Sequence, residues 1–190
     1  TSTNQLSNIL EQAVLAPKRG DLDNVQIITP FRNGTMCDTV PAINGLAQPY
    51  YNPDPEGKSI TINNPDRTFY IGSRVINKKN RSETAMHTSS NDLFEWSVIV
   101  KFDSGEEVVY PYGDLRELDL SYAITVHAAQ GSEYENVIMC ITRGGANGEF
   151  LNRNLLYTGV TRAAKKLILL EEPRAYAIAA ATPAPVRKTA

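Results

Sequence analysis

Between Leu118 and Leu170 the chain alternates apolar, β-branched runs with turn and helix patterns, and this alternation restricts the fold more than any other feature. One strand-like run ends at Thr125, a second covers Asn136 to Thr142 and a third covers Lys166 to Leu170. A helix pattern from about Phe150 to Ala163 fills the gap between the second and the third. This alternation of strands and helix predicts an α/β domain. Val25 to Thr29, closed by Pro30, adds a further buried strand, and Pro41 to Gln48 offers a helix with its proline in the first turn. Leu6, Ile9, Leu10, Ala13 and Val14 recur at helical spacing ahead of Pro17, and Pro173 to Ala181 predicts a closing helix.

A different pattern interrupts this one. From Asn52 to Asp66 the composition shifts to Asn, Pro, Asp and Gly, which marks a surface loop and a boundary. Beyond it, Thr68 to Ile76, Glu95 to Phe102 and Glu106 to Tyr110 read as strands, and Asp103-Ser104-Gly105 reads as a hairpin turn. Asn80 to Asp92 is polar and aperiodic, so a loop is expected there. The expected organisation is a discontinuous α/β domain, residues 1–53 and 115–190, carrying a small antiparallel β module at 54–114; a chain of 190 residues has room for little else. No internal repeat is visible.

No apolar run reaches the roughly 20 residues needed to span a bilayer, so a soluble, cytoplasmic protein is expected. Cys37 and Cys140 lie far apart without metal-ligand spacing, which predicts two buried thiols. Nineteen basic residues against 21 acidic ones leave a net charge of −2, so a polyanion would have to be held by a local patch. The chain begins at Thr1 rather than Met, which suggests a piece of something longer.

The helix after Phe150 carries the clearest chemistry. Leu155, Leu156, Gly159, Val160 and Ala163 fall on one side, whereas Asn154, Tyr157, Thr158, Thr161, Arg162 and Lys165 fall on the other. An arginine on a short helix between two strands can aim a planar, permanently charged fork at a phosphate, as an arginine finger does. A solvated helix face is the competing explanation. The second segment runs from Thr125 to Glu133. Thr125 and His127 at a strand end suit a nucleic-acid phosphate, Gln130 and Glu133 suit hydrogen bonds to a nucleotide, and Gly131 lets backbone approach closely. Here the competing explanation is a structural histidine and a surface carboxylate.

Taken together, these segments resemble a known family. Ser-Tyr-Ala-Ile-Thr-Val-His-Ala-Ala-Gln-Gly-Ser-Glu, ending at Glu133, and Arg153 to Ala163 are similar to motifs V and VI of RecD-like superfamily 1B DNA helicases, the exodeoxyribonuclease V alpha subunit family. Val25 to Gly34 resembles motif IV, Ile43 to Pro53 the segment after it, and Phe69 to Val75 the start of the family's SH3-like inserted barrel. The resemblance implies an α/β fold, a second RecA-like motor domain on a parallel sheet (the P-loop NTPase fold) interrupted by a small SH3-like antiparallel barrel, the C-terminal half of a 5′-to-3′ translocase on single-stranded DNA. It implies Arg162 at the ATP γ-phosphate with Arg32 beside it, and Gln130, Gly131 and Glu133 at the nucleotide cleft. Thr125 and His127 would touch the DNA backbone. The basic run Arg74, Lys78, Lys79 and Arg81 in the insertion could track a strand, or could be a solvated loop.

The chain also departs from the family. It has no G-x-x-x-x-G-K-[ST] loop and no acidic strand end placed for magnesium, so it should not hydrolyse ATP alone; ATP and Mg²⁺ would be held mainly by an N-terminal motor domain. Ala128-Ala129 replace a common Lys-Ser pair, and Asn91-Asp92-Leu93 replaces an Asn-Gly-Asp turn. Expected partners are single-stranded DNA, that motor domain, and nuclease or helicase subunits. The alternative is a non-catalytic DNA-binding or protein-docking module that keeps the fold.

Overall fold

The structure, a computed structural model, describes residues 25–33, 38–52, 59–62, 67–78, 83–86, 97–142 and 151–184, with only the backbone described for 83–86. The expected N-terminal helix, Cys37, Lys79 and Arg81 lie outside them. Contacts divide the chain into two units, residues 44–122 and the remainder.

The remainder is organised by four parallel strands: β1 (Val25–Thr29), β9 (Ala123–Thr125), β10 (Tyr134–Ile141) and β11 (Ala163–Glu171). Their order is β11-β10-β1-β9, so successive strands leave β1 in opposite directions and the sheet has a topological switch point between β1 and β10. Ile27 faces Ile138 on one side and Ala123 on the other. Val137, Ile138, Met139, Cys140 and Ile141 are all buried, the continuous apolar run expected of a strand covered on both faces. The buried Cys140 thiol matches its expectation.

Helix α2 (Arg153–Val160) begins where Asn152 accepts the backbone N–H of Leu155 at 3.1 Å, an N-cap that satisfies one orphan donor. It buries Leu155, Leu156 and Gly159 against Val126, Met139 and Ile141. The helix stops earlier than Ala163, because the backbone of Arg162 already accepts Tyr134 N–H at 2.8 Å and the next residue opens β11. Helix α3 (Ala175–Ala181) adds Ala175 and Ala179 to the same core.

Unit 44–122 contains most of α1 (Val40–Tyr51), a two-stranded ladder of β2 (Ser59–Thr61) and β3 (Thr68–Tyr70), and an antiparallel sheet. The sheet comprises β4 (Arg74–Asn77), β5 (Glu83–Met86), β6 (Ser97–Phe102), β7 (Glu107–Pro111) and β8 (Leu118–Leu120), in the order β7-β6-β5-β4-β8. Phe69, Val75, Val98, Val100, Leu115 and Leu118 form its core. Along α1, Asn44, Gln48 and Asn52 recur every four residues on one face. Their side-chain amides donate to the carbonyls of Leu120 (3.0 Å), Thr68 (2.9 Å) and Ile71 (2.7 Å), and Gln48 also reaches Ser73 Oγ at 2.8 Å. These bonds carry the unit back into α1, ten residues before the expected boundary.

Four elements differ from the sequence expectation. β2 lies within the expected Asn52–Asp66 loop. Thr68 to Ile76 breaks at Ile71-Gly72-Ser73, where Gly72 adopts φ +81° and Ser73 N–H closes on the Tyr70 carbonyl at 3.0 Å. The polar segment expected as a loop contains β5, whose two backbone ladders, to β4 and β6, do not depend on apolar periodicity. The run ending at Thr125 is two strands in different sheets: Leu120 pairs with Val75 antiparallel, and Ile124 pairs with Ile28 in parallel.

Candidate functional site

Two groups of polar side chains sit at opposite edges of the parallel sheet. At the amino edge, Arg162 immediately precedes β11 and Glu133 immediately precedes β10, and Tyr134 lies level with Ala163. Half-buried Arg162 donates from Nη1 to the Ser132 carbonyl at 2.8 Å, from Nε to the Thr158 carbonyl at 3.1 Å and from Nη2 to Thr161 Oγ1 at 3.2 Å. The guanidinium therefore joins the end of α2 to the turn before β10. Gln130, Gly131 and Glu133 are exposed on that turn. Gly131 has φ +86°, which serves the left-handed turn, and there is open space around its Cβ position.

At the carboxyl edge, β1 ends at Thr29 and β9 at Thr125, which are register partners. Thr125 Oγ1 accepts Ala128 N–H at 3.1 Å, and Ala129 N–H and Val126 N–H bond to the carbonyls of Thr125 and Thr29, both at 3.0 Å. These bonds fold residues 125–129 into a turn that leaves His127 exposed and buries Ala129. Arg32, also exposed, follows Thr29 at this edge.

Arg32 and Arg162, expected side by side, are not brought together. Ile28 lies level with Met139, and Met139 with Leu169, so the end of β1 is roughly 20 Å along the strand direction from Ala163. In the other unit, Lys78 is held by the Asp119 carboxylate at 3.2 Å and the Arg116 carbonyl at 2.6 Å, and Arg67 shares that carboxylate at 3.5 Å. The basic run is thus partly neutralised within its own sheet. Arg74 is half-buried.

A buried acid at the switch point was not anticipated. Asp38 is fully buried; its Oδ2 accepts from Thr142 Oγ1 at 2.6 Å, its carbonyl accepts from Thr29 Oγ1 at 2.5 Å, and its Oδ1 is buried without a hydrogen-bond partner. A single Asp separated from Thr142 by 104 positions leaves no sequence signal. Burial pushes the Asp38 carboxyl above the ordinary carboxylate value; the Thr142 hydroxyl and nearby backbone amides oppose this, and the Glu172 charge adds to it. An acid whose folded value is raised contributes its stability below the unfolded value of 3.8 and loses it as pH rises through the folded value. Asp38→Asn keeps the acceptor for Thr142 and removes the charge. Thermal melts should find that variant more stable than the parent at neutral pH, with the advantage vanishing toward pH 3.8. A parent that is the more stable at neutral pH would contradict this.

Among the described residues no group of three His, Cys, Asp or Glu side chains is placed to hold a metal, and no helix is long and apolar enough to cross a membrane.

A UvrD-like helicase C-terminal domain matches residues 120–170, from the end of β8 into β11, a span that includes Thr125, His127, Gln130 to Glu133 and Arg162. The chain is 30% identical over 189 residues to the ATP-dependent RecD2 DNA helicase of Deinococcus radiodurans, covering 94% of this chain and 24% of that protein. It is 30% identical over 153 residues to the RecBCD enzyme subunit RecD of Buchnera aphidicola subsp. Schizaphis graminum, covering 76% of this chain and 24% of that one. A Pif1 helicase from Bacteroides, crystallised with ADP-AlF3 and ssDNA, shares the fold at 12% identity and a TM-score of 0.51, over 91% of this chain and 52% of that one. The fold and these matches define a helicase C-terminal region with a RecA-like sheet. Within that class, the chain belongs to the RecD-like helicases of superfamily 1B. It spans about a quarter of the length of the two named relatives.

Proposed function

We propose that this chain is the second motor domain of an ATP-dependent DNA helicase that moves 5′ to 3′ on single-stranded DNA, and that it completes an ATP site held mainly by an N-terminal motor domain. The observation that carries the reading is the joining of the two edge clusters by one short stretch, residues 126–133, between the exposed His127 and the Ser132 carbonyl bound by Arg162. On this reading Arg162 exchanges part of its present bonding for the γ-phosphate when the two motor domains close, and Gln130, Gly131 and Glu133 line the nucleotide. Bound nucleotide with Mg²⁺ supplies the phosphoryl chemistry; this chain's part is a fixed cation. Thr125 and His127 meet the DNA backbone, and Arg74, Lys78 and Lys79 add positive charge from the insertion.

The insertion, residues 54–114 with its root in α1, is read as an SH3-like barrel. Two features support this: β8 returns to pair with β4, the first strand of its sheet, and a 3-10 helix (Tyr112–Glu117) joins β7 to β8. Cytoplasmic location and association with nuclease or helicase subunits belong to the same proposal.

One observation favours a second reading. All three guanidinium nitrogens of Arg162 are engaged by its own domain, which also fits a structural arginine in a non-catalytic DNA-binding or docking module.

The motor reading requires nucleic-acid binding, which fluorescence anisotropy tests directly. The chain should bind a labelled single strand more tightly than duplex, with an affinity that falls linearly in log–log fashion with salt. Salt-insensitive binding without preference for single strands would remove the nucleic-acid role.

A further inference from the structure

We propose that Arg32 grips a phosphate of the nucleic-acid strand at the carboxyl edge of the sheet, and that Thr29, Asp38 and Thr142 form the latch that presents it. The inference rests on the nucleic-acid reading above and moves Arg32 away from the nucleotide, where the sequence resemblance had placed it.

Position comes first. Arg32 lies past the end of β1, whose last residue is the register partner of Thr125, whereas Arg162 lies at the far edge. Ligands of open α/β sheets gather outside the carboxyl ends of strands, at the point where strand order reverses. Here that point is between β1 and β10, where Asp38 reaches Thr142. Charge differs along the same edge: Arg32 follows β1, while Glu171 and Glu172 end and follow β11. A phosphate is therefore favoured over the β1–β9 half, where the Thr125 hydroxyl and the His127 ring provide further polar contacts.

The segment that carries Arg32 is pinned near both ends. Thr29 Oγ1 accepts Phe31 N–H at 3.2 Å and donates to the Asp38 carbonyl at 2.5 Å, and Val40 N–H closes on the Phe31 carbonyl at 3.0 Å. Thr142 Oγ1 then ties the Asp38 side chain to the end of β10. A long arginine loses rotamer entropy on binding, and fixing the backbone beneath it reduces the ordering left to be done. Thr29, Asp38 and Thr142 act through Arg32 and are positioning residues.

Titrating the full chain with a labelled oligothymidylate across a salt series tests this. Arg32→Ala should weaken binding about tenfold and lower the magnitude of the log-affinity versus log-salt slope by about 0.7, one released counterion on a single strand. Thr142→Val, which keeps shape and removes the hydroxyl, should weaken binding several-fold in the parent and add nothing in an Arg32→Ala background. An unchanged slope in Arg32→Ala overturns the phosphate contact. A Thr142→Val loss that persists without Arg32 overturns the latch and leaves the hydroxyl a general fold contact. If the parent chain itself shows no salt-dependent binding, the failure lies with the nucleic-acid reading as well, so the three failures are distinguishable.

Discussion

Arg162→Ala, introduced into a polypeptide that joins this chain to its nucleotide-binding motor domain, is expected to lower ATP turnover about 10³-fold or more. That is the scale on which an arginine finger stabilises charge spreading over a transferred phosphoryl group. Arg162→Lys should recover little of it, because an ammonium cannot reproduce the planar fork that presently spans Ser132, Thr158 and Thr161. Saturation kinetics separate the two readings of this residue. A finger acts in the transition state, so the loss should appear in kcat. If Arg162 is only the clamp between α2 and the turn before β10, its removal destabilises the domain, and the folded enzyme turns over ATP at nearly the parental rate. That second result would leave the non-catalytic module as the better account.

The parallel sheet was legible because its strands announce themselves locally: Val25 to Thr29 and the run from Asn136 are apolar on both faces, and α2 separates an apolar side from a polar one. The side buried, Leu155, Leu156 and Gly159, is the one its periodicity predicts. What stayed hidden was set by partners distant in sequence. The run ending at Thr125 carries no mark that Ser121 and Tyr122 separate two sheets, since an apolar strand looks alike whichever ladder accepts it. β5 is polar because its place depends on backbone ladders to two neighbours. For the candidate site, residue types at motif positions placed Arg162 with Gln130 to Glu133 and placed Thr125 with His127, but they could not tell which edge each occupies. Arg32 was expected beside Arg162; parallel register, not spacing, decides that it follows Thr29 at the other edge. Asp38 escaped altogether, because its role arises only when Thr29 and Thr142 converge on it.

Gly159→Ala is expected to destabilise the chain although alanine is the better helix former, and the sign of the result tests how closely α2 seats on β10. Propensity alone favours alanine by up to about 1 kcal/mol in a helix interior. Against that, a Cβ at position 159 would lie 2.5 Å from Met139 Cε and 2.7 Å from Sδ, with Val126 Cγ2 at 3.5 Å. Met139 is wholly buried in the central part of the sheet, so its flexible end has no solvent to move into. Overpacking of this kind costs about 1–3 kcal/mol, which exceeds the propensity gain over most of its range. Gly159→Val adds more bulk in the same place and a χ1 restricted in helices; it should cost about 3 kcal/mol or more, a large share of a typical domain's margin. Chemical denaturation reads both effects, and a double mutant identifies their source. Met139→Ala alone should cost about 2–5 kcal/mol by leaving a cavity, and combined with Gly159→Ala the total should fall short of the sum, because the new methyl occupies space the thioether vacated. Since Arg162 begins its reach three residues beyond Gly159, the same seat fixes the height from which its guanidinium meets Ser132. Strict additivity, or a Gly159→Ala chain more stable than the parent, would mean that α2 rides farther from β10 than these contacts require, and the aim of Arg162 would have to be argued from a different helix position.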